Sequence, residues 1–440
     1  MSEHHGAPPS WPELFRVFGH IGLLSFGGPA GQIALMHREL VEERPWLDEP
    51  RFLHALNFCM LLPGPEAMQL ATYSGWLLRG VAGGLLAGLL FILPGFAVIM
   101  GLSALYFFHG DLPVVAGILF GLKAAVLAIV IEALIKVSKR ALKSRLAWAL
   151  AILAFIAIAF LKLPFPLIVL GAGAIGIVTS IAMRAEEPGD AASSDNTTAV
   201  ALPGLAGPTL RTVLVWGAIW LAPLAALVVL PGMPEAFSAM AAFFSKAAIV
   251  TFGGAYAVLA YVGQQAVEVH GWLRPGDMLA GLGLAETTPG PLILVLVFVG
   301  FLGGAREAGL DPLSGGLIGG SLALFFTFAP CFLWIFAGAP HIERLRSVKW
   351  LSAGLSAITA AVVGVILNLA VWFALHVLFE SVGEVVRGPF TLPTPDLASL
   401  NAAALVIAFT AGVALLQYHL NLFVVLGGAT LAGIGVSLLA

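Results

Sequence analysis

The feature that most constrains this chain is the length of its uncharged runs. Residues 81–108, 163–183, 212–233, 247–267, 315–340 and 350–379 contain no Asp, Glu, Lys or Arg. The uncharged run 397–440 has room for two spans with a turn near 419–421. A hydrocarbon core of about 30 Å needs roughly 20 apolar residues as a helix, and these runs supply them. Residues 113–135 read as a further span despite Lys123 and Glu132, and 146–161 as a short one. Inside lipid only helices or closed barrels pair every backbone group. The expected fold is therefore an all-α polytopic membrane protein of about 10–13 membrane segments, some of them broken helices. Charged residues make up 10% of the chain, against about 25% in an average soluble domain, which excludes a soluble protein. A net charge of -3 offers nothing to a nucleic acid. Cys59 and Cys331, the only cysteines, lie in apolar runs without metal-ligand spacing, so no disulfide, metal site or cofactor is expected.

Positive charge sets orientation. Lys136, Lys139, Arg140, Lys143 and Arg145 follow one another without an acid, which places that loop in the cytoplasm. Arg344, Arg346 and Lys349 against Glu343 place a second loop there. Glu380, Glu384 and Asp396 against Arg387 point 380–396 outward. No basic stretch precedes an apolar one in MSEHHGAPPS, so no cleaved signal peptide is expected; His4 and His5 read as a tail, on the cytoplasmic side.

The chain repeats itself. Phe26-Gly27-Gly28 recurs as Phe252-Gly253-Gly254, Trp46-Leu47 as Trp272-Leu273, and Pro63-Gly64-Pro65 as Pro289-Gly290-Pro291, all at an offset of 226. Beyond ten inserted residues the offset is 236, aligning Pro94 with Pro330 and Ala124-Ala125-Val126 with Ala360-Ala361-Val362. The expected organisation is a repeat over 1–183, a flexible cytoplasmic linker over 184–209, a connecting span over 210–233 and a second repeat over 234–440. The basic loop at 136–145 answers to the acidic stretch 380–396, and the uncharged-to-acidic 109–113 to the basic 341–349. Each loop changes sides, as in inverted-topology repeats of alternating-access transporters. A duplicated bundle without transport is the bland alternative.

Gly-Gly and Pro-Gly-Pro at membrane depth break helices, freeing N–H groups at the start of the next half-helix. Such helix starts attract anions. An anion site is therefore expected around Phe26, Gly27, Gly28, Pro29, Pro63, Gly64, Pro65, Phe252, Gly253, Gly254, Pro289, Gly290 and Pro291, with hydroxyls from Thr287 and Thr288. His20 and Lys246 occupy one register position and would form a paired cation site for a dianion, or else snorkel to an interface. Glu66, Glu286 and Lys123 are candidates for carrying a coupling proton or facing the cavity. Asn57, Gln69 and Tyr73 are candidate lining residues. The GxGxxG match at Gly171, Gly173 and Gly176 lies in an uncharged span and reads as helix packing, as do Gly80, Gly84, Gly88, Gly316 and Gly320. No HExxH, GxSxG or P-loop is present, and no nucleophile–base pair can be assembled, so no catalytic residue is expected.

The runs GLLSFGGPAGQIALMHRELVEERPWL, LLPGPEAMQLATYSGWLLRG, TFGGAYAVLAYVGQQ and AETTPGPLILVLVFVGF resemble the chromate ion transporter family, over both halves of the chain. The resemblance implies a long, two-repeat exporter of chromate in the bacterial inner membrane that confers chromate resistance, with sulfate as competitor. It makes the FGG and PGP positions of both repeats the functional ones. His20 stands where the family more often has Arg or Lys, and Ala255 where a proline would follow the second FGG. A dianion leaving an inside-negative cell gains about 4.6 kcal/mol per 100 mV, twice the single-charge value, which favours export. A sulfate or other oxyanion carrier, importer included, is the same-class alternative. The partners expected are chromate or sulfate and the lipid bilayer; a homodimer is left open.

Overall fold

The computed structural model describes residues 8–26, 28–185, 207–252, 255–341 and 349–439. Gly27, Gly253, Gly254, His4, His5, most of the 184–209 linker, Arg344 and Arg346 lie outside the described residues. The chain is an all-α polytopic membrane protein. Its first copy runs α1 (Trp11–Leu24), α2 (Gly28–His37), α3 (Glu49–Cys59), α4 (Glu66–His109), α5 (Pro113–Ala141), α6 (Arg145–Ala159) and α7 (Phe165–Ala185). Helix α8 (Gly207–Val229) intervenes. The second copy runs α9 (Glu235–Val250), α10 (Ala255–Gln264), α11 (Pro275–Glu286), α12 (Val295–Glu307), α13 (Pro312–Gly338), α14 (Lys349–Leu378), α15 (Ala402–Leu416) and α16 (Leu422–Leu439). Among the described residues 7 helices, α4, α5, α7, α8, α13, α14 and α16, are long and apolar enough to cross a membrane. The shorter apolar α6 and α15 accompany them.

Three departures from the sequence reading have local causes. The run 247–267 is not one span: α9 ends at Val250 and α10 starts at Ala255, because the second FGG interrupts it as the first does. Helix α4 turns back on itself at Arg79 (φ -144°, ψ 27°) and Gly80 (φ 61°). Gly80 is thus the left-handed turn residue and not a packing glycine. Arg79 fixes the turn by donating to Pro9 O at 2.8 Å and lying 5.2 Å over the Trp11 ring. The acidic stretch after α14 is a β-hairpin, β1 (Val382–Arg387) with β2 (Phe390–Pro395), antiparallel and turned by Gly388 at φ 60°.

Small residues set the close packing. The two arms of α4 meet where Gly75 faces Gly83 and Gly88 faces Thr72. In the second copy α12 and α13 meet where Gly300 faces Gly319 and Gly304 faces Gly315. With no Cβ, the backbones approach closely, which is what holds helices together in lipid. The copies also exchange partners. Helix α5 packs on α15 and α16, on α16 through Gly117 against Gly433 and Gly121 against Ala429, whereas its register counterpart α14 packs on α6 and α7 through Gly364 against Ala151 and Gly176 against Gly354. Each long helix is therefore seated in the other copy's terminal pair. Contacts in which i meets j and the counterpart of j meets the counterpart of i define a two-fold relation. Ala124, Ala125, Val126, Ala360, Ala361 and Val362 are all buried, consistent with α5 and α14 packing together at the centre.

Candidate functional site

The breaks are built from the same local parts in both copies. Helix α1 ends at Leu24 and α9 at Val250; Ser25 Oγ donates to Ile21 O at 2.6 Å and Thr251 Oγ1 to Ala247 O at 2.6 Å. These hydroxyls cap the last turn of each half-helix. The PGP breaks place Gly64 at φ 120° and Gly290 at φ 97°, a conformation L side chains rarely adopt. New helices start straight after each break: α2 at Gly28, α4 at Glu66, α10 at Ala255, and a short 3-10 turn at Leu292 leading into α12.

Two hydrogen bonds join these breaks across the copies. Gly64 N–H donates to Thr251 O at 2.8 Å, and Gly290 N–H donates to Ser25 O at 2.7 Å. Ser25 and Thr251 are register counterparts, as are Gly64 and Gly290. Each PGP break is thus tied to the FGG break of the other copy. The following helices seat the ties reciprocally: Gly64 lies against Cys331 on α13, and Gly290 against Gly95 on α4. These neighbours each follow the aligned prolines, Pro330 and Pro94.

Two buried amides brace the ties. Gln32 Nε2 donates to Gly290 O at 2.7 Å and to Ser25 O at 3.3 Å. Gln69 Nε2 donates to Pro63 O at 2.7 Å. Both side chains are buried, and the Oε1 of each has no hydrogen-bond partner among the described residues. Each break therefore encloses a buried amide oxygen without a partner. Gln69 was visible in the sequence as a polar residue beside the first PGP; Gln32 was not singled out, although it stands within the FGGPAGQ segment.

The other candidate residues are placed as follows. Phe26 is half-buried and meets Phe423 of α16 edge-on at 5.2 Å; Pro29 and Phe252 are half-buried. Pro63 and Pro65 are half-buried, and Pro289, Gly290 and Pro291 are buried. Thr287 and Thr288 donate their hydroxyls to Leu284 O at 2.8 and 2.7 Å, so their protons serve the end of α11 and are not free for a guest. His20 is exposed on α1, its ring 3.5 Å from Glu39 of the same copy, and Lys246 is exposed on α9. Neither joins the breaks in this conformation. Glu66 is the first residue of α4, half-buried beside the Pro63-Gly64-Pro65 break. Glu286 is buried and accepts from Tyr256 Oη at 2.7 Å. Lys123 abuts Gly276 at the start of α11 and lines a cavity of ≈ 190 Å³ with His376 and Asn401. Asn57 is exposed; Tyr73 is buried and stacks on Trp76 at 5.6 Å. No cluster of His, Cys, Asp or Glu able to hold a metal occurs among the described residues.

Charged side chains gather at helix ends instead. Asp277 accepts from Tyr106 Oη at 2.5 Å, Arg306 at 2.7 Å and Arg274 N–H at 2.7 Å, joining α4, α11 and α12. Arg44 pairs with the buried Glu39. His37 lies between Glu49 at 2.6 Å and Glu42 at 3.0 Å, and these carboxylates hold its imidazole above the usual range.

Helices severed at membrane depth and cross-tied between two copies define a repeat-built membrane transporter. The chain belongs to the chromate transporter family, whose model matches residues 12–177 and again 238–434. It is similar to a chromate transport protein of Pseudomonas aeruginosa, 32% identical over 97% of this chain and 92% of that protein. A chromate transport protein of Cupriavidus metallidurans is 26% identical over 91% of this chain and 89% of that protein. An uncharacterized transporter of Bacillus subtilis is 35% identical, covering 32% of this chain but 71% of the relative, which is thus a much shorter protein. No solved structure matches.

Proposed function

We propose that this protein is a secondary transporter that exports chromate across the bacterial inner (plasma) membrane and so confers chromate resistance. The observation that carries the reading is the exchanged pair of hydrogen bonds, Gly64 N–H to Thr251 O and Gly290 N–H to Ser25 O. The units that move are the repeats over 1–183 and 234–440, inverted relative to each other and joined by the 184–209 linker and the span over 210–233. The N-terminus is cytoplasmic. In the closed arrangement each PGP amide is held by the other copy's carbonyl. Opening one side releases that N–H, together with the helix start behind it, to an oxyanion oxygen. A tetrahedral dianion thus exchanges with a backbone carbonyl on the same donor, and the break closes again when it leaves. The guest is met by Phe26, Gly27, Gly28, Pro29 and their counterparts on one wall, and by the PGP residues on the other. His20 and Lys246 offset its charge as the copies tilt. Backbone donors read shape and charge and not the central atom, so sulfate competes.

Glu66 and Glu286 are the sites for a coupling proton. Glu286 is the better placed, being buried with a neutral tyrosine hydroxyl as its hydrogen-bond partner. Export follows from the potential, worth about 2.3 kcal/mol per charge per 100 mV. The names of the long relatives support chromate as the cargo. The test is chromate content in cells expressing the protein. Accumulation is expected to fall, and Gly64→Leu is expected to restore it. Unchanged accumulation with the intact protein removes the export reading, and faster accumulation turns it into import.

A further inference from the structure

The fold leaves the ammonium of Lys123 without a partner. Lys123 stands about 15 Å along α5 from Pro113, at a rise of about 1.5 Å per residue. It is half-buried and makes no hydrogen bond or ion pair among the described residues. Gly276 gives it room, since a Cβ there would fall 3.4 Å from Lys123 Nζ. Asp277, the acid its charge reaches across α11, is already taken by Arg306 at 2.7 Å, Tyr106 Oη at 2.5 Å and the Arg274 N–H at 2.7 Å. An ionisable side chain at membrane depth is costly, and one without a partner marks a site. Lys123 lines a cavity of ≈ 190 Å³ between α5, the end of α14 and the start of α15. Asn401, the N-cap of α15, lines it too; its Oδ1 accepts from Ala404 N–H at 2.9 Å, which leaves the amide N–H groups without an acceptor. Neither nitrogen is among the unpartnered atoms sealed from solvent, so both have surface to offer a guest. An ammonium carries three N–H donors and a primary amide two. Against them stand Nε2 of His376, whose Nδ1–H donates to Trp372 O at 2.9 Å, and the carboxylate of Glu380, which is exposed and not ion-paired with Lys123. Phe120 and Phe379 supply apolar wall.

We propose that this cavity is a second oxyanion station, which the cargo occupies after it leaves the breaks and before it is released. The inference rests on the export reading for the identity of the anion, and on Lys123 and Asn401 for its binding. A surplus of donors around an unpaired ammonium calls for a guest that only accepts, and a tetrahedral oxyanion presents acceptors on every side. The guest is small, because the cavity lies below the range of about 300–1,000 Å³ that pockets for larger ligands occupy. Apolar walls strengthen the attraction of the ammonium for it. Glu380 opens the acidic stretch whose charge balance points outward. Its carboxylate weakens the hold on a dianion at the exit and disfavours return from outside, which suits a station that must let go.

The test uses the full chain in detergent and reads reductive methylation of each lysine by peptide mass spectrometry, with sodium sulfate as the probe. Sulfate at about ten times its half-protecting concentration is expected to slow the labelling of Lys123 about 10-fold. Sodium chloride of equal ionic strength should not, and Lys139, exposed at the end of α5, should label alike in both. Asn401→Asp keeps the cap on Ala404 N–H but replaces the amide donors by a charge, and should raise the half-protecting concentration by about 10-fold or more. Glu380→Gln, at an exposed position, should lower it about 3-fold. Were Lys123 only a structural partner of Glu380, that variant would not tighten sulfate. Labelling that sulfate does not slow, a Lys123 that does not label without sulfate, or weaker protection in Glu380→Gln overturns the assignment. An arm with phosphatidylglycerol separates the sources: protection by the lipid that sulfate cannot match assigns the cavity to a lipid phosphate and overturns the cargo station. The readout is labelling and not transport. Its failure leaves the export reading standing, and unchanged chromate accumulation in cells leaves the anion site standing without its cargo.

Discussion

Replacing Gly64 by alanine separates two costs that the structure assigns to that position. The first is backbone strain: φ is 120°, and an L residue held in the left-handed half of the map costs about 1–2 kcal/mol or more. The second is steric. A Cβ at this site falls 2.8 Å from Gln69 Nε2 and 2.9 Å from Cys331 Sγ. Overpacking of that kind costs about 1–3 kcal/mol, so Gly64→Ala is expected to lose about 2–5 kcal/mol. Gly28→Ala is the control, because Gly28 has φ 75° but nothing within 4 Å of its added Cβ. It carries the first cost alone, about 1–2 kcal/mol. Melting of the purified variants, run side by side in one detergent, should rank them wild type, Gly28→Ala, Gly64→Ala. The clash with sulfur is tested further by Cys331→Ala. Combined with Gly64→Ala, it should cost less than the two single losses together, by about 1 kcal/mol, since contacting sites couple on that scale. Equal melting of the two alanine variants, or strict additivity with Cys331→Ala, refutes the placement of the first PGP break against α13.

Three further outcomes are expected. Arg306→Ala leaves the Asp277 carboxylate, 7% exposed, without its cation; discounted for the 24% exposure of Arg306, the loss is about 2–3 kcal/mol, read by melting and partly restored by lysine. Glu286→Gln keeps an acceptor for Tyr256 and should fold normally, yet transport in inverted vesicles should lose its response to an imposed pH gradient; a retained response removes Glu286 from coupling. The His37 imidazole is held above its ordinary value by Glu49 first and Glu42 second. Its stabilising contribution is full below the unfolded value near 6.5 and fades as pH rises through the raised folded value. His37→Ala should therefore lower melting at acidic pH and leave it unchanged at alkaline pH.

What the sequence showed and what it hid follow from the kind of signal involved. Breaks were legible because Pro and Gly change backbone physics wherever they stand, and their recurrence on one register pointed to two copies. The exchanged hydrogen bonds between Ser25, Gly64, Thr251 and Gly290 were not legible, since a backbone carbonyl carries no side-chain signature. Nor was the turn at Arg79-Gly80. Gly80, Gly84 and Gly88 share one spacing, and only the backbone conformation tells the turn glycine from the packing ones. The stretch 380–396 was read only for orientation, from Glu380, Glu384 and Asp396 against Arg387, and its hairpin was missed, although the alternation in VGEVVR and FTLPTP around Gly388 held the strand signal. His20 and Lys246 share a register but are exposed on α1 and α9, because register fixes position along a helix and leaves open which neighbour covers its face.

The copies match in their ties but not in their braces, and that difference predicts which tie yields first. Gln32 holds both carbonyls at the Ser25–Gly290 tie, at 3.3 and 2.7 Å. Its register counterpart is Val258, buried and unable to donate. Gln69 bonds Pro63 O at the other tie and does not reach Thr251. The Ser25–Gly290 tie thus has one extra hydrogen bond between the copies, from Gln32 to Gly290 O, worth about 1 kcal/mol net. Opening there is roughly 5-fold rarer, so amide exchange at Gly290 should be slower than at Gly64 by about that factor, if both exchange through opening of their own tie. Gln32→Val gives the first copy its counterpart's side chain and should bring the two exchange rates together. Equal exchange in the unaltered protein, or a rate at Gly290 that Gln32→Val does not raise, shows that the amide does not bias opening. If the bias holds, the resting carrier opens first on the side of Gly64 and Thr251, and the asymmetry of two buried side chains decides which face of the membrane the empty site meets.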